Sequence, residues 1–134
     1  MLVDTNVLSE LARQSPDPDV ARWARTVPLP LSISVVTLEE VSYGLSWRPN
    51  AEIQAWFETF LAEACHVLPI TEVIARRAGE LRGRFRLSGR QRTQADMLIA
   101  ATAQAHQLAL ATRNVRDFDG CGIPVVNPFE GGAV

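Results

Sequence analysis

The stretch Met1-Leu2-Val3-Asp4-Thr5-Asn6-Val7-Leu8-Ser9-Glu10-Leu11-Ala12-Arg13 decides the fold. It opens with three apolar residues and an acid, then passes at once into a helical pattern over 6–13. An apolar run without polar alternation reads as a strand buried on both faces, the kind found in helix-covered parallel sheets. Asp4 stands at the strand–helix junction. A carboxylate there resists desolvation unless it caps the helix or something positive joins it.

The same unit recurs along the chain. Apolar runs at about 1–4, 31–36, 66–70, 108–112 and 124–126 read as strands. Helical patterns fill the intervals at 6–13, 17–25, 38–47, 50–64, 72–87 and 94–106. In 17–25, Val20, Trp23 and Ala24 share one side. In 50–64, Ile53, Trp56, Phe57, Phe60 and Leu61 form an amphipathic stripe. The segment 94–106 is apolar nearly all round, which predicts a buried helix. Alternating strands and helices indicate an α/β domain with a central, mainly parallel five-stranded sheet. Right-handed crossovers would set helices on both faces, giving three layers, α/β/α. With no repeat or linker in view, 1–130 reads as a single domain and 131–134 as a loose tail.

The 134 residues suffice for one domain with a real core. No apolar run approaches the ~20 residues that span a bilayer, and no signal-peptide pattern opens the chain, so a cytoplasmic protein without membrane contact is expected. Cys65 and Cys121 then read as reduced thiols rather than a disulfide. The formal net charge is −2, yet all 13 basic residues are arginines, and seven lie within 76–92, where Glu80 is the only acid. A local basic segment is thus hidden by the global balance. The absence of lysine argues against a P-loop nucleotidase and a protein kinase, which need one in their motifs. Phosphoaspartate enzymes and receiver domains also set a lysine beside their aspartates.

Three further acids join Asp4 as unexpected neighbours of buried segments. Glu40 follows the run 31–36, Asp96 opens the apolar stretch 97–105, and Asp117 lies just past the fourth strand. Ligands of a parallel α/β sheet bind outside the carboxyl ends of its strands, and all four acids map to that edge. Each has a plain structural alternative. Thr37-Leu38-Glu39-Glu40 matches a capping box, Thr93-Gln94-Ala95-Asp96 a weaker one, Asp4 a simple N-cap, and Asp117 a loop acid. Jointly, four carboxylates at one edge call for a divalent cation.

Four segments resemble the PIN-domain ribonucleases of the VapC toxin type. They are Leu2 to Leu11, Ser34 to Gly44 with Glu40 in the acidic position, Ala95 to Ala103, and Ala111 to Phe118 followed by Val126-Asn127-Pro128-Phe129. The resemblance runs nearly the full length, in order. It implies a PIN fold, Mg²⁺ or Mn²⁺ as cofactor, and endonucleolytic hydrolysis of RNA. It also implies a toxin neutralised by a cognate antitoxin, a homodimer, and a toxin–antitoxin hetero-oligomer. Asp4 and Asp96 are then expected as direct metal ligands, with Glu40 and Asp117 acting through water or a second metal. The fourth site position falls on Asp117 or Asn114, with Asp117 preferred as the carboxylate; Asn114 and Thr112 are supporting candidates. Metal-activated water would attack, so no side-chain nucleophile is needed, and His66 and His106 receive no role. Arg90 and Arg92, then Arg113 and Arg116, are the expected RNA contacts. The helical pair within 38–64 is larger than one crossover needs and is a candidate protein-binding surface. The rival classes are a PIN-fold RNA- or protein-binding module without catalysis and a DNA-directed, structure-specific nuclease.

Overall fold

The computed structural model describes residues 1–131, so the expectation for the tail falls almost wholly outside the described residues. Strand β1 (Leu2–Val3) leads into α1 (Thr5–Leu11) and α2 (Pro18–Thr26). Then come β2 (Leu31–Ser34), α3 (Val35–Trp47), α4 (Ala51–Glu63), β3 (Cys65–Leu68), α5 (Glu72–Leu87) and α6 (Gln94–Ala105). Strand β4 (Leu110–Ala111), a 3₁₀ turn (Val115–Phe118) and β5 (Val125–Val126) complete the domain. The sheet has the order β3-β2-β1-β4-β5, and every neighbouring pair is parallel. The three-layer α/β/α architecture is therefore as the alternating pattern predicts, with a fully parallel sheet.

The central strand shows why. Leu2 and Val3 are both fully buried, yet they enter different cores. Leu2 joins α5 and α6 residues such as Leu81, Phe85, Met97 and Ala100, while Val3 joins Val7, Val20 and Phe57 from α1, α2 and α4. Successive strand side chains point to opposite faces, so an all-apolar strand needs a helical layer on each side. The chain adds strands on one side of β1 up to β3, then crosses to build β4 and β5 on the other. That reversal opens a crevice at the carboxyl ends of β1 and β4.

Several boundaries differ from the sequence reading. Helix α3 starts at Val35, three residues before the expected 38, because Ser34 caps it by accepting from the Val36 amide at 3.0 Å. β-branched Val35 and Val36 look like strand but lie in its first turn. Strand β3 is not buried on both faces: His66 and Val67 are exposed, since β3 lies at the sheet edge. Strand β4 is cut to two residues of the expected five. Both cysteines are free thiols. Among the described residues no helix is long and apolar enough to cross a membrane.

Candidate active site

Asp4 is the N-cap of α1, and its Oδ1 accepts from the Thr5 amide at 2.8 Å. The capping alternative is thus true, but it uses only one oxygen. Val3 pairs with Ala111 across the sheet, so the next residues, Asp4 and Thr112, meet at the crevice. The Thr112 hydroxyl donates to Asp4 Oδ2 at 2.8 Å and accepts from the Asn114 amide at 3.1 Å. Asn6 Nδ2 reaches both Asp4 Oδ2, at 3.3 Å, and Thr112 Oγ1, at 3.4 Å. Its Oδ1 accepts from the Arg113 amide at 3.1 Å.

Glu40 does not close a capping box. The early start of α3 puts Thr37 inside the helix, so Glu40 has no helix-start amide to reach back to. Its Oε1 instead accepts from the Thr5 hydroxyl at 2.6 Å. Thr5 has one hydroxyl proton, and this short bond takes it. The fully buried Thr37, whose hydroxyl lies 3.1 Å away, therefore donates to Thr5. Thr5, Asn6 and Thr37 are site residues that the sequence reading missed. The only trace of Thr5 and Asn6 in the sequence is their place directly after Asp4.

Asp96 sits at the third position of α6, where the Thr93 hydroxyl caps by accepting from the Asp96 amide at 3.1 Å. Asp117 is held in the 3₁₀ turn by its neighbour Phe118, which is buried against the α5–α6 core. Asn114 lies exposed at the start of that turn, and no hydrogen bond from its side chain caps it. Burial pushes the Asp96 carboxyl up to about 6; its hydrogen bond with Thr93 opposes this, and the charges of Asp4, Asp117 and Glu40 add to it. Burial likewise raises Asp4, against the hydrogen bonds from Thr112, Thr5 and Asn6, with a further push from Asp117. Asp96 thus senses three carboxylates from distant parts of the chain.

The donor set is all oxygen: four carboxylates with threonine hydroxyls among them. None of the ion pairs among the described residues involves Asp4, Glu40, Asp96 or Asp117. Among the described residues no three His, Cys, Asp or Glu side chains are arranged so as to hold a metal ion together. Hard divalent cations take such donors and keep part of their water shell, so the residues present fit Mg²⁺ or Mn²⁺.

The arginines divide. Arg92 Nη2 donates to the Asp119 carbonyl at 3.3 Å, and its guanidinium lies 4.7 Å from the centre of the Phe85 ring. Its Nε is buried without a hydrogen-bond partner. Arg90 also approaches Phe85, at 5.9 Å, but remains exposed. Arg113 covers the Phe129 ring at 4.6 Å. Arg113 and Arg116 border a cavity of about 370 Å³ that also includes Asn114 and Asp117. His66 and His106 are both exposed. Burial raises both thiols, Cys65 to about 11, so neither is a nucleophile at neutral pH.

Residues 1–120 match the family model described as PIN domain. The chain is 34% identical to "VapC ribonuclease Y4jK" of Sinorhizobium fredii over 97% of its own length and 98% of the relative. Among solved structures it resembles FitAcB from Neisseria gonorrhoeae with a TM-score of 0.83 and 29% identity, covering 96% of this chain and 98% of that one. It also resembles a toxin–antitoxin complex from Klebsiella pneumoniae, with a TM-score of 0.76, 31% identity, and coverage of 96% and 98%.

Proposed function

Since the chain belongs to the PIN-domain family, we propose that it is a metal-dependent endoribonuclease and the toxin of a toxin–antitoxin pair. One observation carries the reading. At the sheet's switch point, Asp4 is only 5% exposed, has no cationic partner among the described residues, and shares its surroundings with Asp96 and Asp117. Asp4 and Asp96 are the direct ligands in this reading; Glu40 and Asp117 hold the outer side through water or a second ion. A divalent cation held there would supply positive charge and an activated water for attack on a phosphodiester.

The chain's own residues do the rest. Thr112 and Asn6 fix the direction of the Asp4 carboxylate, and Thr5, backed by Thr37, fixes that of Glu40. The sheet and two helix starts keep the acids in place, so little reorganisation is needed when substrate arrives. Ribonuclease as the activity, and an antitoxin as the partner, draw support from the names of the relatives. Tyr43 and Trp47 on α3 are 66% and 69% exposed, an apolar surface suited to the antitoxin or to a second copy of the chain. The α4 stripe lends less, because Phe57 and Phe60 are core and Trp56 stacks on Phe60 at 5.2 Å.

The test incubates the protein with defined single-stranded RNA and DNA in Mg²⁺, Mn²⁺ or EDTA, beside Asp4→Asn. Expected is RNA cleavage that needs the metal and disappears in the variant. RNA binding without cleavage would favour the non-catalytic module. Preferential cutting of DNA would favour the structure-specific nuclease.

A further inference from the structure

Between α5, α6 and the loop after the 3₁₀ turn lies a cavity of about 310 Å³. Arg77 and Arg84 both line it, seven residues apart and so on one face of α5. Gln104 of α6 accepts from Arg77 Nε at 2.7 Å and fixes that guanidinium. The one acid paired to either arginine among the described residues is the exposed Glu80, 3.5 Å from Arg77 Nη1. Phe85 forms part of the wall, and the loop closes on it at Gly120, whose φ is +82°. A Cβ at Gly120 would stand 3.3 Å from the Phe85 ring, a tight contact, and the positive φ itself favours glycine there.

Two chain segments lead from the wall of this cavity to the acidic residues. Gly120 is three residues beyond Asp117, a reach of at most about 11 Å. Residues 88–93 run from the cavity to the start of α6, and Arg90 and Arg92 of that segment flank Phe85. A cleft of four acids repels a polyanion, so affinity for a nucleic-acid strand has to come from beside it. We propose that the Arg77–Arg84 cavity is a subsite for a backbone phosphate of the RNA strand that continues out of the acidic cleft. Arg84 offers a guanidinium fork suited to phosphate oxygens, and Arg77 adds the N–H groups that Gln104 and Glu80 do not engage. The proposal rests on the ribonuclease reading and names where that substrate is anchored.

The experiment measures binding of a labelled single-stranded RNA in EDTA across a salt series, together with cleavage in Mn²⁺. Arg84→Gln removes an exposed side chain and leaves the core intact; Arg77→Gln is the second variant. Each is expected to weaken binding about three- to tenfold and to lower the slope of log affinity against log salt by about 0.7. Arg82→Gln, an exposed arginine of the same helix outside the cavity lining, controls for diffuse charge and should cost about twofold or less. Equal losses in all three variants, or none in any, would overturn the subsite; wild-type cleavage would then leave the ribonuclease reading standing. Binding that depends on Arg84 without any cleavage would sink the nuclease reading and leave the phosphate subsite in place. Failure of the wild type to bind RNA at all would overturn both.

Discussion

Helix α1 carries a buried acid at each end, and the chain treats the two differently. Glu10, 8% exposed, accepts from Arg13 Nη1 with both oxygens at 3.1 Å and from the Asp17 amide at 2.8 Å. Asp4, 5% exposed, receives an amide, a hydroxyl and an Asn side chain, but no cation among the described residues, and Asp96 and Asp117 stand in its surroundings. One end is complete as folded. The other is left electrostatically open, and a carboxylate cluster in that state is what an external cation would complete. The contrast distinguishes an acid that serves the fold from the acid assigned to the proposed site, although both are similarly buried.

Exchange at the two ends breaks the comparison most sharply. Asp4→Asn should reduce RNA cleavage by roughly a hundred- to a thousandfold, the scale of losing one preorganised charge contact in a catalytic site. In EDTA at neutral pH the same variant should unfold at the same temperature as the wild type or higher, because it removes an uncompensated charge. Glu10→Gln should do the reverse, costing about 1–2 kcal/mol of stability while cleavage persists. Paired cleavage assays and thermal melts check both halves.

The pH dependence sharpens the same point. The folded chain holds a proton on Asp96 up to about 6, above the usual carboxylate range, so between the two values the native state binds more protons than the unfolded one. Stability of the metal-free protein from this group therefore falls as pH rises through that window. The melting temperature of Asp96→Asn relative to wild type, in EDTA, should climb from about pH 4 to a plateau above about pH 7. Saturating Mg²⁺ should shrink that difference, because binding to the native state offsets the repulsion. A flat difference across the range would show that Asp96 is not electrostatically loaded.

A smaller effect is expected at Thr5. Thr5→Val removes the hydroxyl that holds Glu40 at 2.6 Å and accepts from Thr37. One such bond contributes about 1 kcal/mol, so cleavage should fall about fivefold with the fold retained. An unchanged rate would mean that Glu40 needs no positioning.

Much of this molecule is legible in its residues, and the gaps have physical causes. The five strands and six helices follow from apolar runs and helical periodicity, because a strand covered on both faces can hardly be written otherwise. The start of α3 is hidden in the sequence because Val35 and Val36 have strand propensity, while the Ser34 cap decides the boundary. Strand β3 is less buried than its apolar run implies because an edge position is a property of sheet order, which no single strand encodes. The acids are visible as charges beside apolar runs, and Thr112 as a strand-end hydroxyl near them. The pairings are not, since Thr5 meets Glu40 across 35 residues and Asp4 meets Thr112 across 108. The contacts of Arg92 are likewise not legible: its guanidinium lies over the Phe85 ring and bonds the Asp119 carbonyl, 27 residues away.

The cation site itself is most directly tested by titrating the protein with Mn²⁺ and following free aqueous Mn²⁺ by electron paramagnetic resonance. The expected result is saturable loss of the free signal in the wild type, weakened more than about tenfold in both Asp4→Asn and Asp96→Asn while Glu10→Gln binds normally. Absence of saturable binding in the wild type, or equal binding in all four proteins, would contradict a metal centre at the end of β1.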